Sequence, residues 1–327
     1  MIVLWPVLPA LLAALVASVS LILLRRPGLL PTAHPNVRSL HHRPVPRGGG
    51  LAIWAGWVGG TVWLSVAQPW LIPMLLIVMV SFLDDRYGVP APLRLLVHTL
   101  AACAWLWLGK VPISPLAAIV AIVWMANLFN FMDGSDGLAL VMALAGLGSY
   151  AIAASLAGAD DAPVLWALVA AIAPCLAFNL PPARLFLGDV GAVPLGFAAA
   201  TFGISGWSAG DWPGWFPLLV FMPFIADASV TLAWRMGRGA TIWKPHREHF
   251  YQKLVQLGFG HRGTLLLYGA LMVGTSASAL LALVRAPASG PALLALWSVV
   301  MALLFSTIGY YWRAKEHLDI GFHESKH

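Results

Sequence analysis

The sequence predicts an all-α fold, a polytopic integral membrane helical bundle of about 11 transmembrane helices with the N-terminus outside and the C-terminus cytoplasmic. Three observations lead there. Of 327 residues, 60% are hydrophobic and only 10% are charged, against about 25% charged in an ordinary soluble domain. The mean hydropathy is +0.82. Several apolar stretches run for about 17 to 24 residues, enough to cross a hydrocarbon core of about 30 Å. A soluble domain, a disordered chain, a coiled coil and a disulfide scaffold are excluded by the same composition.

The expected spans fall near residues 2–24, 50–67, 70–83, 94–109, 114–130, 137–157, 163–180, 190–206, 215–234, 264–284 and 291–312. No basic residue precedes the first apolar run, and Arg25 and Arg26 follow it. That is the reverse of a cleaved signal peptide, so the first span is expected to be retained. With the N-terminus outside, seventeen of the 19 basic residues lie on the cytoplasmic side and only Lys110 and Arg285 lie outside. The positive-inside rule then requires an odd number of spans. The net charge of +6 reports orientation, not a nucleic-acid partner. Cys103 and Cys175 stand singly in apolar runs and read as packed thiols. With no repeat of fixed period, residues 1–327 are expected to form a single integral membrane domain.

Of the 13 acids, only Asp160, Asp161 and Asp211 fall on the outer side. The rest gather at or just beneath the cytoplasmic face, and acids from non-adjacent spans on one rim point to a functional site. Asp84 and Asp85 close the third span. Successive helical positions point about 100° apart, so the two carboxylates suit two roles better than one. The plainer alternative is a solvated helix end paired with Arg86. In the fifth span, Asn127, Asn130 and Asp133 recur at i, i+3 and i+6 and share one helical face; Gly134 and Gly137 let the chain turn so that Asp136 folds back.

Asp189, in Gly188-Asp189-Val190-Gly191, stands at the inner end of the eighth span, where a helix cap and a metal ligand are equally good readings. The longest loop carries His246, Arg247, Glu248 and His249; without a third well-spaced ligand these suit a clamp on pyrophosphate oxygens better than zinc. His41-His42-Arg43-Pro44-Val45-Pro46-Arg47 leads into Gly48, Gly49 and Gly50, three glycines that allow close backbone approach to a phosphate or base, or that simply relieve helix crowding. Asp227 is expected to pair with a neighbour or to line a lipid entrance, His98 beside Arg94 to be structural, and His261 to be solvated. Carboxylates, amides and basic groups on one rim suit a hard divalent cation, Mg2+ best, and the phosphates that it bridges.

In this order, Pro-Arg-Gly-Gly-Gly, Asp-Asp-Arg, Asn-x-x-Asn-x-x-Asp-Gly-x-Asp-Gly, Gly-Asp-Val-Gly and a final histidine loop, the chain resembles the polyprenyl-phosphate N-acetylhexosamine-1-phosphate transferase family, of the MraY and WecA type (glycosyltransferase family 4), over about residues 25–262. The resemblance implies transfer of a sugar 1-phosphate from a UDP-N-acetyl sugar to undecaprenyl phosphate, with release of UMP, at the cytoplasmic face of the bacterial inner membrane. It implies Mg2+, replaceable by Mn2+, with Asp189 as ligand. Asp84 would deprotonate or position the lipid phosphate, with Asp85 beside it. Asn127, Asn130, Asp133 and Asp136 would hold the nucleotide and the metal environment, and His42 and Arg47 would flank the uridine-diphosphate pocket. His246, Arg247 and His249 fall at the family's histidine loop, which usually reads His-x-His-His and here reads His-Arg-Glu-His. That variant is similar to the O-antigen-initiating branch more than to the peptidoglycan branch. Membrane lipids and a homodimer complete the expected partners.

Two rivals stand beside this reading. A cation-coupled transporter would also place acids in helices, but near the midplane and toward both faces. A CDP-alcohol phosphotransferase would match Asp133-x-x-Asp136-Gly137, yet Leu140 and Val141 stand where its Ala-Arg is needed.

Overall fold

A computed structural model describes residues 7–26, 28–35, 40, 43–241 and 246–324, with residues 68 and 317–324 described by their backbone only. His42 therefore lies outside the described residues. The order is α1 (Val7–Leu24), β1 (Thr32–Ala33), β2 (Val45–Pro46), α2 (Gly50–Thr61), α3 (Gln68–Tyr87), α4 (Ala91–Gly109), α5 (Pro115–Met132), α6 (Leu138–Ala157), α7 (Ala162–Asn179), α8 (Asp189–Ala209), α9 (Trp215–Val220), α10 (Met222–Gly237), α11 (Phe250–Leu254), α12 (Gly260–Arg285) and α13 (Gly290–Glu324). The protein is a polytopic helical membrane protein.

Over the described residues each expected span is largely helical, and eight helical stretches among them are long and apolar enough to cross a membrane. The segments 50–67, 70–83 and 215–234 are helical but fall outside those eight. Helix α2 has only 12 residues, and α3 ends in Asp84, Asp85 and Arg86. The third segment is interrupted at Phe221 between α9 and α10, next to Pro223, which has no N–H to continue the ladder. Proline opens α3, α4, α5, α7 and α10 within their first two positions, where the missing N–H costs nothing.

Helix α8 is the axis of the bundle: 83% of its apolar window is buried, against 17% for that of the last helix. It packs on α3 and α5, while α7 joins α1, α2 and α6. Small residues set these distances. A Cβ at Gly56 of α2 would lie 2.6 Å from the Ala13 carbonyl oxygen of α1, and one at Gly196 of α8 would lie 2.2 Å from the Met125 carbonyl oxygen of α5. Lipid tails are as apolar as leucine, so close van der Waals approach of this kind, rather than burial from water, holds such helices together.

The strands form a two-stranded antiparallel ribbon, Thr32 opposite Pro46 and Ala33 opposite Val45. Beyond it Arg47 bridges to Phe186, which ties the segment before α2 to the segment before α8.

Candidate active site

The glycine run is occupied by protein backbone. Gly48 and Gly49 donate their N–H groups to the Phe186 carbonyl at 3.1 and 2.9 Å, and Gly50 donates to that of Leu187 at 3.0 Å. A Cβ on Gly50 would sit 2.2 Å from the Gly191 Cα. Of the two readings of these glycines, the contacts match close packing rather than approach to a phosphate or base: they let Pro46–Gly50 lock onto Phe186–Gly191, which brings Arg47 beside Asp189.

Asp84 and Asp85 do take two roles. Asp85, whose side chain is fully buried, accepts the backbone N–H of Asp189 through Oδ1 and of Val190 through Oδ2, both at 3.0 Å. It thereby caps α8 from another helix. A carboxylate at the C-terminus of α3 opposes that helix's own dipole, and the N-terminus of α8 supplies the compensating positive end. Gly188, at φ +77°, turns the chain here, and a side chain on it would meet Asp85. Asp84 instead accepts the Val89 N–H at 2.6 Å and pairs with Arg94. Arg86 turns to Tyr87 and pairs with neither.

Two guanidiniums knit the carboxylates together. Arg47 joins Asp85, at 2.6 Å, to Asp189; Arg94 joins Asp84 to Asp189, the latter at 3.4 Å. Asn130 Nδ2 donates to Asp189 Oδ2 at 3.4 Å. Burial works against the Arg47 charge, and the Asp189 and Asp85 carboxylates outweigh it, so its proton affinity is raised. Burial, then the Asp189 charge, push the Asp133 carboxyl well above the usual carboxylate range.

A cavity of about 1140 Å³ opens over this network. Its polar wall includes Arg47, Arg94, Asn127, Asn130, Asp133, Asp136, Asp189, His246 and His249, so residues from distant parts of the chain meet at one end of the bundle. The shared face of Asn127, Asn130 and Asp133 is this wall. The Asn127 amide donates back to the Val123 carbonyl at 2.7 Å. Asp136 accepts the Ala183 N–H at 2.9 Å beyond a turn at Gly137, φ +78°. Asp84 and Asp85 stand behind the wall, and Arg247 is half-buried and does not line it. The opposite wall is apolar, built by Leu95 of α4 and Ile119, Val120 and Trp124 of α5. Leu95 and Val120 are exposed.

Burial, then His249 and Arg235, lower the pKa of the His246 imidazole to about 4, which leaves it neutral near pH 7. Its ring stacks on His249, centroids 4.9 Å apart. Glu248, the residue that departs from the usual histidine, faces away from the cavity and pairs with Arg235 and Arg238 of α10. Arg238 is half exposed and contributes little. Arg235 is 7% exposed, and leaving its charge unpaired is costly. Glu248→Gln is therefore expected to lower the melting temperature in detergent by about 2 to 4 °C, with a smaller shift in 1 M salt. Scanning fluorimetry at two salt concentrations checks this.

Sequence reasoning missed several contributors. Arg94 belongs to the carboxylate network, although its position in the first turn of α4 was the available signal. His261, expected to be solvated, accepts the Asp136 N–H at Nδ1, at 3.2 Å, and faces the Leu40 carbonyl through Nε2, also at 3.2 Å. Asn179 accepts the Gly137 N–H and donates to the Leu185 carbonyl, both at 2.9 Å. No local pattern marks any of these contacts.

The donor set fits a divalent cation of a particular kind. Asp84, Asp85, Asp133, Asp136 and Asp189 outnumber Arg47 and Arg94, yet among the described residues no three His, Cys, Asp or Glu side chains converge to enclose an ion. Mg2+ is commonly bound by one or two carboxylates, with waters and substrate phosphates completing its shell, and needs no protein cage.

Residues 68–206, which hold Asp84 through Asp189, match the family described as glycosyl transferase family 4. The chain is 26% identical to a probable undecaprenyl-phosphate N-acetylglucosaminyl 1-phosphate transferase of Bacillus subtilis, over 71% of this chain and 72% of that protein. It is 27% identical to a decaprenyl-phosphate N-acetylglucosaminephosphotransferase of Mycobacterium leprae, over 72% of each. It is 26% identical to the undecaprenyl-phosphate alpha-N-acetylglucosaminyl 1-phosphate transferase of Escherichia coli K12, over 84% of this chain and 82% of that protein. Over residues 68–206, which hold the Asp-Asp, Asn/Asp and Gly-Asp-Val-Gly motifs gathered around this cavity, the chain is thus similar to glycosyl transferase family 4.

Proposed function

We propose that this protein transfers N-acetylhexosamine 1-phosphate from a UDP-N-acetyl sugar to undecaprenyl phosphate, as the first membrane step of O-antigen synthesis. A lipid phosphate oxygen attacks the β-phosphorus of the nucleotide sugar. The bond from that phosphorus to the bridging oxygen breaks, UMP leaves with the oxygen, and undecaprenyl-diphospho-sugar remains. One observation carries the reading: one cavity has a carboxylate and guanidinium wall on one side and, on the other, an apolar wall that includes the exposed Leu95 and Val120. A water-soluble diphosphate and a lipid phosphate need such a meeting place.

In this reading Arg47 and Arg94 are aimed by Asp85 and Asp84 and present donors to phosphate oxygens. Asp84 positions Arg94 rather than taking a proton, because its oxygens already accept from Val89 and Arg94. A phosphate monoester has a second pKa of about 6, so the acceptor is largely dianionic near pH 7 and needs no strong base. His246, neutral near pH 7, lines the nucleotide side together with His249, both as hydrogen-bonding groups. Asp189 would hold Mg2+, or Mn2+ in its place, with Asp133 and Asn130 nearby; when bound, the ion neutralises diphosphate charge. We place the site at the cytoplasmic face of the bacterial inner membrane, with eleven spans and the N-terminus outside. Arg47, Arg94, Arg235 and Arg238 lie toward the same end as the cavity, which supports that orientation.

Purified protein in detergent with Mg2+, undecaprenyl phosphate and a panel of UDP-N-acetyl sugars is expected to release UMP with at least one donor and none without lipid. Absence of UMP with every donor would sink the proposal. UMP or a phospho-sugar adduct formed without lipid would replace direct attack by a covalent route.

A further inference from the structure

Asp227 of α10 is the most heavily engaged buried carboxylate outside the cavity. It is 0% exposed and does not line the cavity. Its Oδ1 accepts the Phe250 N–H at 3.0 Å and the Thr231 hydroxyl at 3.2 Å. Its Oδ2 accepts the Tyr251 N–H at 3.0 Å and the Tyr268 hydroxyl at 2.5 Å. His249 Nδ1 lies 3.4 Å from Oδ1. An ionised carboxylate has acceptor sites only, so a proton on His249 Nδ1 completes an all-donor shell.

This arrangement does two things at once. Capping α11 from α10 places Tyr251, whose hydroxyl donates to the Phe131 carbonyl at 2.9 Å. That hydroxyl sits where a Cβ on Gly134 would lie 2.2 Å away, so it supports the turn that carries Asp133. His249 Nδ1 is buried without a hydrogen-bond partner of good geometry and faces Asp227 Oδ1, while the ring lines the cavity and stacks against Phe131, centroids 6.0 Å apart. With Nδ1 directed at Asp227, Nε2 is the nitrogen left for the cavity.

We propose that Asp227 is a positioning residue for the transfer reaction: it holds His249 with Nδ1–H toward itself and Nε2 toward the substrate. The inference rests on the transferase reading for its kinetic test alone. A buried partner that fixes a histidine's tautomer and orientation is worth about 10- to 100-fold when removed.

Two experiments on the full chain decide it. Asp227→Asn is expected to lower kcat for UMP release about 10- to 100-fold, and to cost less than about 2-fold further in a His249→Gln background. An equal fold loss in both backgrounds would mean that Asp227 acts only as a structural cap. The second experiment needs no variant at Asp227. Nitrogen-15 NMR of the histidine-labelled parent protein, with His249 assigned by its absence in His249→Gln, is expected to show a protonated Nδ1. A neutral His249 protonated only at Nε2 overturns the assignment. If the parent protein releases no UMP, the transferase reading fails on its own, and the NMR result still decides how Asp227 holds the ring.

Discussion

Asp189→Ala is expected to reduce UMP release by at least about 10³-fold while the bundle remains folded. The fold survives because neither guanidinium is stranded: Arg47 keeps Asp85 and Arg94 keeps Asp84. The cap on α8 also survives, since Asp85 holds the backbone N–H groups of residues 189 and 190 rather than the Asp189 side chain. Activity is lost because the one carboxylate on which Arg47, Arg94 and Asn130 converge has gone. The measurement is a Mg2+-dependent rate set beside a melting curve in the same detergent. A near-normal rate would remove Asp189 from the metal assignment, and a collapsed melting curve would show that its role is mainly structural.

The second large effect comes from a residue with no side chain. Gly50→Ala is expected to destabilise the protein by about 2 to 3 kcal/mol and to lower the rate at least about 100-fold. The new Cβ would stand 2.2 Å from the Gly191 Cα and 2.4 Å from its nitrogen, and backbone atoms cannot swing aside as a flexible side chain would. Moving α2 away from α8 pulls Arg47 off Asp189, so stability and activity fall together. Gly148→Ala in α6 is the control. A Cβ there meets nothing within 4 Å, and alanine in place of a helical glycine is expected to be neutral or stabilising by about 0.5 to 1 kcal/mol, with the rate unchanged. Equal behaviour of the two variants would refute the close-approach argument.

Both variants bear on how much of this site the chain displays before it folds. The polar wall of α5 was legible because Asn127, Asn130 and Asp133 repeat at helical spacing, and a helical face is a local property. The division of labour between Asp84 and Asp85 was legible for the same reason. Their partners were not. Asp85 meets backbone N–H groups 104 and 105 residues away, and Arg47 meets a carboxylate 142 residues away. The sequence shows Glu248 only as a departure from the usual histidine; its pairing with Arg235 and Arg238 is set by tertiary contacts.

Hydropathy and loop charge were enough to set the class of protein, the helical segments and the rim on which its acids collect. Both are summed over neighbours in the chain and answer to the thickness of a bilayer. Which carboxylate lies over which helix N-terminus, which glycines meet, and which histidine nitrogen faces the cavity depend on contacts between helices remote in sequence. Those contacts exist only once the bundle has packed, because an amino acid's spacing shows the face it occupies and not what stands opposite.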